Sequence, residues 1–290
     1  RDLPLRLGEL GLVHRHEKSG ELHGLFRVRN FTQDDAHLFV TPDQVEAEIQ
    51  HTIDLFDEVY NTFGLTYVAE LSTRPDDSMG TDEDWELATN GLRKALEHRG
   101  LDYIVNEGDG AFYGPKIDFH LKDSIGRTWQ CGTIQYDMQM PEKFNLTYVG
   151  EDGEKHRPIM LHRVVYGSIE RFIGILIENY AGAFPTWLAP VQARILPITD
   201  KQADYAYELR KKMFDLGLRI EVDDRSEKIG KKIRESQMLK TPYSLVVGDQ
   251  EMADGTVAVR KYGEQQSETM KVEDFIAYLQ DQIATKAKKF

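Results

Sequence analysis

The stretch FPTWLAPVQ, residues 184–192, constrains the fold more than any other, because the order of predicted elements changes across it. Pro185 and Pro190 each remove a backbone donor and fix φ, so regular structure is interrupted there. Upstream, the pattern reads as strands paired in hairpins with helices between them; downstream, strand and helix alternate. This predicts two domains, residues 1–188 and 193–290, joined by a linker at 189–192. A chain of 290 residues is long enough for two separate cores.

The upstream half opens with a hairpin. RLGELGLVHRHE runs in, KSGELHG turns, and LFRVRNFTQDDAHLF returns. Thr41-Pro42-Asp43-Gln44 then supplies an N-cap, a proline at the first helical position and a capping-box glutamine. The helix that follows carries Val45, Ile49, Ile53, Phe56, Tyr60 and Phe63 at helical spacing and stops at Gly64. A strand at Tyr67–Leu71, a helix from about Asp82 to Arg99, and strands at Tyr103–Asn106, KIDFHLKD and RTWQCGTIQYD come next. After an irregular region, GSIERFIGILIENYAG is an apolar helix expected to be mostly buried. The predicted class is α+β: an antiparallel sheet with flanking helices. From Ala193 the pattern gives a strand, a helix ending before Gly217, a strand, a helix from Glu227, two strands and a terminal helix, a small α/β unit with a mixed sheet.

Charge and cysteine usage narrow the setting. The net charge of −13 argues against a polyanionic partner overall, yet the residues from Ala193 onward hold 18 basic against 17 acidic side chains. An acidic total therefore leaves room for a local basic surface there. The single cysteine, Cys131, excludes a disulfide framework, and no apolar run is long enough to span a membrane. A cytoplasmic, globular chain is expected. With no initiator Met and no signal-peptide pattern, it reads as part of a longer polypeptide.

One strand poses a chemical question. In RNFTQDDAHLFV, Phe31, Gln33, Asp35, His37 and Phe39 share one face, so aromatics alternate with an amide, a carboxylate and an imidazole. Either that face is solvated or it is a site. Arg15 and Glu17 on the preceding strand, and Arg27 and Arg29 on the return, repeat the two-residue spacing. Guanidinium forks match phosphate oxygens and stay charged, so such a cluster suits a phosphorylated ligand. EGDGAFYGPKIDF brings three glycines and a proline around Phe112, Tyr113 and Lys116, either an ordinary turn or a tight backbone approach with a lysine at a strand start. In LHRVVYGSIERFIG, Gly167-Ser168 reads as a helix N-terminus, with Glu170 in the first turn and Arg171 in an otherwise apolar helix. A buried arginine needs an anion, either a structural carboxylate or a ligand phosphate.

Taken together, these segments resemble class II aminoacyl-tRNA synthetases. HRHE with RVRNFTQDDAHLF resembles their motif 2, and GSIERFIG resembles motif 3. FTQDDAH, GAFYGPK, WQCGT and FPTWLAPVQ in this order resemble the threonyl-tRNA synthetase family of the bacterial type, along essentially the whole chain. The resemblance implies ATP-dependent activation of threonine to threonyl-adenylate, with Mg2+, and transfer to tRNA(Thr). It implies Arg15 on the α-phosphate, Arg171 on the γ-phosphate and Phe31 stacked on adenine, with Glu17, Arg27, Gln130 and Ser168 in the ATP site and Lys116 beside the reacting groups. Gln33, Asp35 and Tyr113 would surround threonine.

The same resemblance implies a zinc ion that ligates the threonine amine and hydroxyl, held by His37, His162 and a cysteine. A metal that reads a hydroxyl separates threonine from valine better than an apolar pocket can. The family's cysteine ligand sits in a CPGH segment, which this sequence does not contain, and Cys131 matches a different position. Zinc is therefore expected to be weak or absent here. Motif 1 and its dimer interface are likewise outside this sequence, so the homodimer usual in the family is left open. The C-terminal unit resembles the anticodon-binding domain, with Glu251 and Arg260 at base-reading positions. Lys228, Lys231, Lys232 and Arg234 form either a phosphate-tracking helix face or a solvated one. Lacking motif 1 and the zinc cysteine, this chain by itself is expected to be at best feebly active, and two alternatives to the ligase reading stand: a catalytically incomplete chain that only binds tRNA through its C-terminal unit, and a paralogue turned to another task.

Overall fold

The computed structural model describes residues 2–288, in two compact units that divide between Glu178 and Asn179. In the N-terminal unit the order is β1 (Leu5–His14), β2 (Asn30–Val40), α1 (Val45–Phe63), β3 (Tyr67–Ser72), α2 (Asp82–Arg99), β4 (Tyr103–Asn106), β5 (Lys116–Lys122) and β6 (Thr128–Asp137). It continues with α3 (Gln139–Lys143), a small hairpin of β7 (Tyr148–Val149) and β8 (Lys155–His156), β9 (Ile159–Ser168) and α4 (Ile169–Asn179). Seven strands form one sheet in the order β1-β2-β9-β6-β5-β3-β4, antiparallel except for the β3–β4 pair. This is the α+β architecture the sequence predicts.

Local chemistry explains why α1 sits where it does. The Thr41 amide donates to Gln44 Oε1 at 3.1 Å across a short 3-10 turn, and Gly64 ends the helix at φ 71°. Its inner stripe of Ile49, Ile53, Phe56 and Tyr60 is buried against the sheet. Phe56 meets Phe119 edge-on at 4.5 Å, and the Tyr60 hydroxyl donates to the Val165 carbonyl at 2.6 Å. The helices thus cover the sheet face that carries Leu38, Ile117, Phe119 and Ile134. The opposite face, with Gln33, Asp35, His37, Thr133, Gln135 and His162, is left for polar chemistry.

Three expectations for this unit change. β9, an interior strand between β2 and β6, had no period-2 signal because Met160, Leu161, Val164 and Val165 are all buried, two on each face. α4 is not mostly buried: Phe172, Ile175 and Leu176 face inward, while Ile173 and Ile177 are 43% and 41% exposed. Strand pairing of β1 with β2 ends at His14↔Asn30, so Arg15, Glu17, Arg27 and Arg29 lie on the hairpin connection and not on strands.

The turn between β5 and β6 is organised by Asp123, which is 7% exposed. It accepts from the Ile125 and Arg127 amides, from Arg127 Nε at 2.6 Å and from Trp129 Nε1 at 2.9 Å. Burial works to raise its pKa, but these donors outweigh it and hold the carboxyl at about 2. A carboxyl depressed in the folded state stabilises above its unfolded pKa near about 3.9, and that contribution is lost as pH falls toward about 2. Asp123→Asn is therefore expected to lower the melting temperature of the N-terminal unit at pH 7 and to have far less effect near pH 2. Equal losses at both pH values in a calorimetric series would contradict this account.

The C-terminal unit runs β10 (Ala193–Pro197), α5 (Ala203–Asp215), β11 (Ile220–Val222), α6 (Ile229–Met238), β12 (Tyr243–Val247), α7 (Asp249–Asp254), β13 (Thr256–Lys261), β14 (Glu268–Lys271) and α8 (Val272–Ala284). Its five-stranded sheet has the order β11-β10-β12-β13-β14, parallel over the first three strands and antiparallel beyond, as a mixed sheet requires. Ile195, Met213, Tyr243, Leu245, Val257, Phe275 and Leu279 make its core. The sequence reading had missed α7 and β14, both short. Among the described residues no helix is long and apolar enough to cross a membrane.

Candidate active site

The residues anticipated for ATP come together. Arg15, Glu17, Arg27, Phe31, Gln130, Ser168 and Arg171 all line one pocket, along with Gln33, Thr133 and Gln135. The strand-to-helix junction that delivers Arg171 depends on Gly167, at φ 75°, where an added Cβ would lie 2.7 Å from the Cys131 carbonyl. Ser168 Oγ then accepts from the Arg171 amide at 3.2 Å, which caps α4. Glu170 accepts from the Thr32 amide through both oxygens at 3.0 Å and fastens α4 to β2.

Arg171 has an unusual set of partners for a half-buried guanidinium. Its Nε donates to the Phe26 carbonyl at 2.8 Å and its Nη1 to the Gln130 carbonyl at 2.7 Å, while Trp129 lies 5.7 Å beneath its Cζ. Among the described residues no carboxylate lies within ion-pair distance. Neutral carbonyls orient the charge without cancelling it, and burial pushes its pKa down. Arg15 is exposed, sits 5.3 Å over the Phe31 ring and has no ion-pair partner among the described residues. Arg27 differs: Glu17 neutralises it at 2.9 Å, and Glu21 lies 3.3 Å away. The pocket thus holds two guanidiniums with no ion-pair partner among the described residues, Arg15 over Phe31 and Arg171 over Trp129, an arrangement suited to a planar ligand carrying phosphates.

The polar face of β2 continues this pocket. Pairing with β9 shifts register between Gln33 and Asp35, and the buried Asp34 carboxylate fills the gap by accepting from the Val165 and Tyr166 amides at 2.9 and 3.0 Å. His37 stands opposite His162, their rings 4.7 Å apart and edge-on, and Asp35 Oδ2 is 3.8 Å from His37 Nε2. His162 Nε2 is bonded to Asp137 Oδ2 at 2.8 Å, and Tyr113 tilts against His162 at 5.5 Å. The Tyr113 hydroxyl donates to Gln135 Oε1; burial first, then Asp137 and Asp35, push its pKa up to about 12. The glycine-rich loop is the tight approach, with Gly110 N donating to the Thr73 carbonyl at 2.7 Å.

Lys116 is not a free cation. Its ammonium contacts Asp118 Oδ2 at 2.7 Å and Asp109 Oδ2 at 3.3 Å; burial works against its charge, but the two carboxylates outweigh it and its pKa is raised. Sequence reasoning had missed Asp118, Gln135 and Asp137. The alternation Lys116, Asp118, His120 on β5 and Thr133, Gln135, Asp137 on β6 carried the signal.

In the C-terminal unit, Glu251 Oε2 accepts from the Gly248 amide at 2.8 Å at the start of α7, and Arg260 on β13 donates to the Glu264 carbonyl at 3.0 Å. The anticipated basic face of α6 needs correction. Lys232 is 2% exposed and donates to the Pro197 carbonyl at 3.0 Å, so it belongs to the core, and Lys231 pairs with Glu227 at 2.5 Å. Lys228, Lys231 and Arg234 remain exposed at three-residue steps.

Comparison with known proteins gives the family of both units. Residues 1–180 match the tRNA synthetase class II core domain (G, H, P, S and T), and residues 192–282 match the anticodon binding domain. The solved RNA binding domain of threonyl-tRNA synthetase from Cryptosporidium parvum Iowa II superposes with a TM-score of 0.93 at 41% identity, over 97% of this chain and 71% of that one. The chain belongs to the threonyl-tRNA synthetase family of class II synthetases. A threonine–tRNA ligase of Desulforamulus reducens is 67% identical over 99% of this chain and 45% of its own length. One from Acetivibrio thermocellus is 65% identical over the same shares. The chain thus spans less than half the length of these curated relatives.

The zinc that this family resemblance implies does not fit the donors present. His37 and His162 provide two imidazoles, one already bonded to Asp137, and a catalytic zinc site takes three protein ligands. Cys131 is buried on another part of the sheet, its thiol pushed by burial to about 12. Among the described residues no group of three His, Cys, Asp or Glu is arranged to hold a metal ion.

Proposed function

We propose that the N-terminal unit activates threonine: it binds ATP and threonine, forms threonyl-adenylate with release of pyrophosphate, and passes the threonyl group to tRNA(Thr). The observation that carries this reading is Arg171, held by two carbonyls and left without an anion at the edge of the pocket. A half-buried cation so arranged is satisfied by a ligand phosphate. In this reading Arg171 takes the γ-phosphate, Arg15 the α-phosphate and Phe31 the adenine face, with Mg2+ accompanying the nucleotide. Gln33, Asp35 and Tyr113 surround threonine, and Lys116, tethered by Asp118 and Asp109, faces the reacting carboxylate. Positioning and charge neutralisation carry most of the barrier lowering in such a displacement. The C-terminal unit reads the anticodon through Glu251 and Arg260, with Lys228 on the RNA backbone.

Threonine-dependent ATP–pyrophosphate exchange by the 290-residue chain tests the proposal, with serine and valine as controls. Exchange with threonine above both is expected; exchange equal for all three would refute the threonine assignment. A second reading, tRNA binding without catalysis, is favoured by one observation, the two-imidazole donor set at His37 and His162. It predicts tRNA(Thr) binding that falls steeply with salt, together with no exchange.

A further inference from the structure

Asp118 lies beneath the pocket, 1% exposed, and takes four donors from three strands. Oδ1 accepts from Gln130 Nε2 at 2.6 Å and Thr133 Oγ1 at 2.9 Å; Oδ2 accepts from Lys116 Nζ at 2.7 Å and Ser72 Oγ at 3.2 Å. A carboxylate offers about four lone-pair positions, so this one is saturated and has none left for a ligand. Its influence passes through the residues it holds. Gln130 and Thr133 both line the pocket, and each spends a donor on Asp118. Thr133 has only oxygen lone pairs left to present, and Gln130, its nitrogen held at Asp118, turns Oε1 away from that carboxylate and keeps one further N–H.

We propose that Asp118 is a positioning residue of the nucleotide pocket: it fixes the Gln130 amide with its nitrogen inward, so that the wall formed by Gln130 and Thr133 offers acceptors to the ligand. The inference rests on the reading that this pocket takes ATP. The same carboxylate tethers Lys116, so one buried group sets both the polarity of the wall and the place of the nearest ammonium. Arg171 donates to the backbone carbonyl of the same Gln130 whose side chain Asp118 holds.

The variants follow from hydrogen-bond arithmetic. Asp118→Asn keeps one acceptor; if it stays with the Lys116 ammonium, the new amide nitrogen faces Gln130, which must flip and turn a donor toward the pocket. ATP affinity, measured by calorimetry, is expected to fall about tenfold. Adding Gln130→Glu restores a donor–acceptor pair between the two positions and returns an oxygen to the wall, so the double variant should recover most of the affinity. A merely structural Asp118 would show a lower melting temperature without that recovery, which would overturn the proposal. The Gln130 side-chain amide resonance, assigned by its loss in Gln130→Glu, reads the same contact without ATP. It should be protected from exchange in the unmutated chain and shift in Asp118→Asn. Solvent-like exchange in the unmutated chain refutes the inference even if Asp118→Asn fails to fold. A protected amide with no ATP binding by the unmutated chain instead refutes the nucleotide reading and leaves the Asp118–Gln130 contact standing.

Discussion

Arg171→Ala is expected to lower threonine-dependent exchange by about a hundredfold to a thousandfold, the usual loss when a preorganised donor to developing charge is removed. The reason lies in how the guanidinium is held. The Phe26 and Gln130 carbonyls fix its direction at 2.8 and 2.7 Å but leave its charge for the ligand. Alanine frees two carbonyls at the edge of an open pocket, where water replaces the lost donors, so the melting temperature should change little. Arg171→Lys retains the charge but reaches one carbonyl at a time, and its point charge lacks the fork that spans two oxygens. It should therefore recover ATP binding more than turnover. Exchange within tenfold of the unmutated chain in Arg171→Ala would remove the observation on which the functional reading stands.

Much of this arrangement was legible in the sequence where local chemistry decides the outcome. The Thr41–Gln44 cap and Gly64 bracket α1, and Gly100 ends α2 at φ 66°, because these positions answer to hydrogen bonds and backbone conformations a few residues away. The polar alternation from Gln33 to His37 was visible for the same reason. What could not be read depends on partners distant in sequence. β9 is buried on both faces and so lacks alternation, and Lys232 is drawn inward by a carbonyl 35 residues away. The register shift opposite Asp34 exists only because β9 supplies two amides to that carboxylate. Arg171 is the instructive case: the sequence showed that it needed an anion, and only the fold showed that the protein provides none among the described residues.

The largest effect on folding is expected at Gly114, in the loop that delivers Tyr113 and Lys116. An added Cβ would lie 1.7 Å from the Tyr136 carbonyl oxygen, and the neighbouring Tyr136 amide already donates to the Pro115 carbonyl at 3.0 Å. The obstacle is backbone, which has no rotamer to yield. Gly114→Ala must lift the loop from β6, breaking that hydrogen bond and exposing the Tyr113 contacts with Gln135 and His162. Overpacking of this kind costs about 1–3 kcal/mol and occasionally more; at about 2–4 °C per kcal/mol, the N-terminal unit should melt several degrees lower. The C-terminal unit has its own core and should melt unchanged. Gly20→Ala serves as the control in the same unit, since nothing lies within 4 Å of its added Cβ. Because the displaced loop carries Tyr113 and Lys116, Gly114→Ala should also depress exchange at temperatures where the variant remains folded. A variant that melts like the unmutated chain and exchanges normally would mean that the loop does not approach β6 this closely, and the tight placement of Lys116 would fall with it.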